Sequence, residues 1–125
     1  MKQSLSTPDA PAAIGPYSQA IKANGFLFMS GQTPLRPDGS QETGSIQEQT
    51  KQVLANMEAV LKEAGLGFDD LVKTTVFLSS MNHFAAMNEV YGAVFKNTPP
   101  ARSTVAVAGL PKNADVEIEG VALLR

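Results

Sequence analysis

Apolar and polar residues recur along this chain with two different periods, and the switches between them mark its elements. A period of two predicts strands. Tyr17–Ala23 and Phe26–Ser30 read as a hairpin joined at Asn24-Gly25, a favoured two-residue turn. Leu71–Leu78 is a third strand, rich in β-branched residues. Arg102–Ala108 and Val116–Leu124 read as two more, joined by a turn at Gly109-Leu110-Pro111-Lys112-Asn113. A period of 3.6 predicts helices. Ile46, Thr50, Val53, Leu54, Met57, Val60, Leu61 and Ala64 make one apolar stripe, with Ser45 and Glu48 spaced as a capping box and Gly65 as C-cap. A second helix spans about His83–Lys96, with Asn82 as N-cap and Phe84, Met87, Tyr91, Val94 and Phe95 on one side. Asn97-Thr98-Pro99-Pro100 ends it, since proline cannot continue the ladder. Residues 1–16 read as loosely held coil, and Gly31–Gly44 as a loop.

The resulting order is ββαβαββ, an α/β (α+β) arrangement with a mixed sheet, in one domain covering residues 1–125. Two helices of this length cover only one face of such a sheet. Along the last strand Val116, Ile118, Gly120 and Ala122 share one face, and Glu117, Glu119, Val121 and Leu123 share the other. Val121 and Leu123, with Phe77 or Val76, would leave a sizeable apolar patch wet, so a second layer is expected from another subunit.

Composition narrows the chemistry. The net charge is −2, and the ten Lys and Arg are scattered, which argues against tight binding of a phosphate backbone or an anionic membrane. No cysteine is present, so disulfides, thiolate metal sites and a cysteine nucleophile are excluded. The single His83 reads as a surface residue and cannot build a multi-histidine metal site. No metal or organic cofactor is expected. The N-terminus lacks the apolar run of a signal peptide, no segment is long enough to span a bilayer, and a cytoplasmic location is expected.

The candidate site lies in the last two strands. Arg102 supplies a fixed cation, and Glu117 and Glu119 supply a carboxylate pair. From spacing alone this is either a binding site or a solvated strand end with a surface ion pair, and both readings stand.

Several separated pieces together narrow that choice: Gly15-Pro16-Tyr17-Ser18-Gln19-Ala20, Ser30-Gly31-Gln32 and Asn88-Glu89-Val90-Tyr91. Ala101-Arg102-Ser103 follows, then Val105, Val107 and Leu110-Pro111, and the set closes on Val116-Glu117-Ile118-Glu119. In this order and spacing they resemble the RidA (YjgF-like) family of reactive-intermediate enamine/imine deaminases, over nearly the whole chain. The resemblance implies a chorismate-mutase-like fold and a homotrimer with a cleft at each subunit interface. It also implies cofactor-independent hydrolysis of 2-imino acids, such as 2-iminobutanoate and 2-iminopropanoate, to 2-keto acids and ammonia. Such imines leak from pyridoxal-phosphate enzymes acting on serine and threonine. One departure is Thr104, where many close relatives carry cysteine.

An imino acid presents a carboxylate beside a polarised C=N carbon. The planar guanidinium of Arg102 suits the carboxylate with a two-point fork. Glu117 is the expected general base, and Glu119, on the same face, is expected to raise its pKa. Tyr17 would close the cleft, Ser30 offer a hydroxyl, and Gly31 let the backbone approach a ligand. Asn88 and Thr104 complete the expected substrate-binding set, with bracing of a loop as the alternative role for Asn88. A non-catalytic binder of keto or imino acids is the alternative function, but carboxylate binding alone needs only the cation.

Overall fold

The computed structural model describes residues 1–125. Its elements are β1 (Gln3–Leu5), β2 (Ala20–Ala23), β3 (Phe26–Gln32), α1 (Ile46–Glu63), β4 (Leu71–Leu78), α2 (Phe84–Ala93), β5 (Ala101–Ala106) and β6 (Val116–Leu123). The strands form one six-stranded sheet in the order β1-β2-β3-β6-β4-β5. Every pairing is antiparallel except β4 with β5. From β3 the chain crosses through α1 to β4 and skips one strand's width, which β6 later fills. The last strand is therefore central, and it positions the site.

Both helices pack on one face of this sheet. Val53, Leu54, Met57, Val60 and Leu61 of α1 are buried, as the stripe requires, against Leu27, Val76, Leu78, Val116 and Ile118 of the sheet. Full burial of side chains of this size stabilises by about 1.5–3 kcal/mol each. The Ser45 hydroxyl accepts from the Glu48 N–H at 3.1 Å, but the Glu48 carboxylate turns to Lys51 at 3.4 Å, so only half of the capping box forms. At the other end Gly65 N–H donates to Lys62 and Leu66 N–H to Leu61, the Schellman arrangement. Asn24 and Gly25 take φ of 57° and 87°, the positive values that a two-residue hairpin turn needs.

Several expectations are corrected. Residues 3–5 are not coil: they add an edge strand through Gln3↔Lys22 and Leu5↔Ala20, so the order is βββαβαββ. The hairpin's first strand begins at Ala20, leaving Tyr17 in the approach to it, and β3 runs on to Gln32. The second helix is shorter than expected, and a 3-10 turn at Met81–His83 precedes it. Ser80 caps that turn by accepting from the Asn82 N–H at 3.1 Å, so Asn82 is not the cap. The last two strands do not pair with each other, because β4 lies between them.

The helix-free face is strongly apolar at one end. Phe26 lies opposite Leu123 and Phe28 opposite Val121, and Phe28 and Leu123 are 46% and 50% exposed. Phe77 also points to this side, in register with Glu117, while Val76 is in the core. No helix is long and apolar enough to cross a membrane.

Candidate functional site

At the other end of the helix-free face, Glu117 and Glu119 line a groove of about 660 Å³. A β-bulge shapes it. Met29 pairs with Gly120 and Gln32 with Ile118, so Ser30 and Gly31 together oppose the single residue Glu119. The bulge brings the β3 backbone under Glu117. A Cβ placed on Gly31 would overlap the Glu117 carboxylate oxygen and lie 2.9 Å from its Cδ. Gly31 is thus required for a close approach, though the neighbour it admits is the glutamate itself.

Glu117 is half-buried and makes no ion pair. Burial raises its pKa above the ordinary value, and the nearby charge of Glu119 raises it further. The expected influence of Glu119 is present, but desolvation is the larger cause. A carboxylate so placed is more basic than an exposed one, which suits proton abstraction from water.

Tyr17, Ser30, Gln41 and Lys112 also line the groove, together with Pro11, Ala12 and Ile14 of the N-terminal segment. The Ser30 hydroxyl donates to the Ser18 carbonyl at 2.6 Å, so its proton is committed to the backbone and its oxygen is left to accept. Two buried amides that sequence reasoning missed hold the walls. Gln19 accepts from the Thr7 N–H at 2.7 Å and donates to the carbonyls of Thr7, Ala10 and Pro11. Asn56 of α1 donates to the carbonyls of Thr33 (3.2 Å) and Leu35 (2.7 Å). Each binds a loop that carries no regular ladder of its own, which is how buried polar groups are satisfied. The sequence hints at Asn56 only as an amide beside the apolar residues of the α1 stripe.

The second cluster lies elsewhere. Arg102 stands opposite Thr74 in the β4–β5 register, and Thr74 faces the helices. Its guanidinium donates to Asn88 Oδ1 at 2.6 Å and sits 4.8 Å above the Tyr91 ring and 5.5 Å from that of Phe84. Thr104, on the same side of β5, has a buried hydroxyl oxygen without a hydrogen-bond partner. Arg102, Asn88 and Thr104 are therefore one cluster, and Tyr17, Ser30, Gly31, Glu117 and Glu119 another. Within one protomer they occupy opposite faces of the sheet. The expectation that the cation and the carboxylates form one site on consecutive strands fails for a single chain, because β4 separates β5 from β6 and alternation sends Arg102 and Glu117 to different sides.

His83 lies 3.6 Å from Asp115, whose carboxylate also accepts from Ser79 at 2.7 Å and Gln49 at 2.9 Å. These contacts, the Ser79 bond foremost, hold Asp115 below its usual pKa against the opposing effect of burial. The group ties the start of β6 to the turn before α2 and to α1.

Comparison with known proteins agrees with the architecture. The family model described as Endoribonuclease L-PSP matches residues 7–124. A RutC family protein of Synechocystis is 54% identical over 123 residues, covering 96% of this chain and 95% of that one. The mouse 2-iminobutanoate/2-iminopropanoate deaminase is 44% identical, covering 98% of this chain and 92% of its own. The crystal structure of E. coli TdcF with bound serine superimposes with a TM-score of 0.93 at 40% identity, covering 98% of this chain and 99% of that one.

Proposed function

Because the chain belongs to the endoribonuclease L-PSP (YjgF/RidA) family, we propose that it is a cofactor-independent deaminase of small 2-imino acids, working as a homotrimer. One observation carries this reading: a carboxylate made basic by burial on one sheet face, and an arginine without an ion pair on the other. Each is half of a site. A rotationally symmetric ring of three copies would set the Arg102 edge of one against the Glu117 groove of the next. The apolar surface at Phe26, Phe28, Val121 and Leu123 supports the same assembly, since a lone protomer would leave it wet.

In that cleft Arg102 grips the substrate carboxylate and holds the C=N carbon over Glu117. Glu117 takes a proton from water as its oxygen adds to the carbon. Glu117 returns that proton to the nitrogen to complete the carbinolamine, then carries the hydroxyl proton to the amine, so that the C–N bond breaks, ammonia leaves and the 2-keto acid remains. The Ser30 oxygen is free to accept from the imine N–H, and Tyr17 covers the ligand. Substrates of the 2-iminobutanoate class are supported by the mouse relative's name and by the serine bound to TdcF. The family description names an endoribonuclease, but a net charge of −2 and two carboxylates in the groove oppose a phosphate backbone.

The direct test is to generate 2-iminobutanoate in situ and time its loss with and without the protein. Acceleration over spontaneous hydrolysis is expected, and an unchanged rate would refute the proposal. Leu123→Asp should give a monomer by light scattering and remove the activity with it. A trimer of normal mass would show that Leu123 lies outside the interface. Gly31→Ala should displace the Glu117 carboxylate and lower kcat/KM by roughly 10²-fold, as expected for small misplacement of a reacting group. Normal turnover there would mean that the bulge does not set the position of the base.

A further inference from the structure

We propose that Tyr91 is a positioning residue for Arg102, holding the guanidinium on the face of its ring rather than through its hydroxyl. The inference rests on the reading of Arg102 as carboxylate anchor. It concerns how the cation is kept in place and free to bind.

Phe84, Asn88 and Tyr91 fall at positions i, i+4 and i+7 of α2, one stripe of the helix. That stripe faces the guanidinium, with the Tyr91 ring at 4.8 Å, the Phe84 ring at 5.5 Å and Asn88 Oδ1 at 2.6 Å from Nη1. Both ring distances lie within the range of a cation–π contact. The Tyr91 ring is itself fixed from two directions. Its hydroxyl shares a 2.6 Å hydrogen bond with Thr74 Oγ1, and its ring packs on Phe95 at 4.8 Å. Thr74 is the residue beside Arg102 across the β4–β5 ladder, so strand and helix fix the ring relative to the arginine backbone.

Every group that holds Arg102 is neutral. No carboxylate pairs with it, although an aspartate in place of Asn88 would have supplied one at the same distance. An acidic brace would satisfy the guanidinium and compete with an incoming carboxylate. Two ring faces and one amide oxygen restrain the long side chain, reduce the entropy lost on binding, and leave the remaining N–H donors for the ligand.

The test measures the Kd of 2-oxobutanoate, a product of the proposed reaction, by calorimetry. The variants are Tyr91→Phe, Tyr91→Leu, Arg102→Ala and the Tyr91→Leu/Arg102→Ala double variant. Tyr91→Phe keeps the ring face and should bind within about twofold of the parent, with a lower Tm from the lost Thr74 bond. Tyr91→Leu should weaken binding about tenfold, and should weaken it no further once Arg102 is alanine. Should the leucine variant not fold, fluorinated phenylalanines at position 91 carry the test. They keep the shape while draining charge from the ring face, so Kd should rise stepwise with each added fluorine. A flat fluorine series, or a phenylalanine variant as weak as leucine, would overturn the proposal and leave the hydroxyl or simple packing as the cause. If Arg102→Ala itself binds normally, the anchor reading falls and this inference with it. Loss in Arg102→Ala with none in Tyr91→Leu defeats the present inference alone.

Discussion

Mixed trimers of Arg102→Ala and Glu117→Gln protomers should recover imine hydrolysis that neither variant shows by itself. Arg102 lies on the helix side of β5, and Glu117 on the opposite face of the sheet, two strands away. One protomer cannot bring both to a small imino acid. In a threefold ring each cleft draws its arginine from one copy and its carboxylate from the next. Unfolding the two variants together and refolding them, or co-expressing them, should leave about one cleft in four with both native groups, and about a quarter of parent activity. Mixing the folded trimers without exchange should give none. Two inactive variants that stay inactive after verified mixing would place both groups in the same protomer's cleft, or remove one of them from the reaction.

The local features of this fold were legible because they depend on near neighbours. The stripe Val53, Leu54, Met57, Val60, Leu61 reports burial directly, and Asn24-Gly25 takes the positive φ values that its turn demands. Alternation also sorted Glu117, Glu119, Val121 and Leu123 onto the helix-free face. What stayed hidden depends on distant partners. Residues 3–5 form a strand only because Ile21 and its neighbours offer them an edge, and three mixed residues carry no period of their own. Ser80 and Asn82 are both good caps two residues apart, and local sequence does not choose between them. The insertion of β6 between β3 and β4 is a long-range pairing; it puts β4 between Arg102 and Glu117, whose side chains alternation already sends to opposite faces. The bulge at Ser30-Gly31 exists only relative to β6, so the closeness of Gly31 to Glu117 had no sequence signal beyond the glycine.

Glu117→Gln should abolish most of the acceleration while leaving the protein folded, assembled and able to bind a keto acid. Glutamine keeps the size and the hydrogen-bonding reach of the side chain but cannot take a proton at working pH. It also removes a partly buried charge, so the fold should tolerate it. Catalysis should fall by roughly 10²–10⁴-fold, or to the spontaneous rate if the total acceleration is smaller. Free imines hydrolyse unaided, so each run needs its background subtracted. The pH dependence supplies the sign. The base must be ionised to act, and burial first, then Glu119, raises the pKa of Glu117. Activity in the parent should therefore be lost as pH falls through a value above that of an ordinary glutamate. Glu119→Gln removes the second cause but not the first, so it should move that acidic limb to lower pH without abolishing turnover. An unmoved limb would mean that another group titrates there. A glutamine variant at position 117 with full turnover would transfer the base to Glu119, or leave a backbone carbonyl to orient the water. If that variant lost binding and assembly too, Glu117 would be a structural residue. Lost rate with preserved binding of 2-oxobutanoate is the result expected of a base that acts on water rather than on the carboxylate held by Arg102.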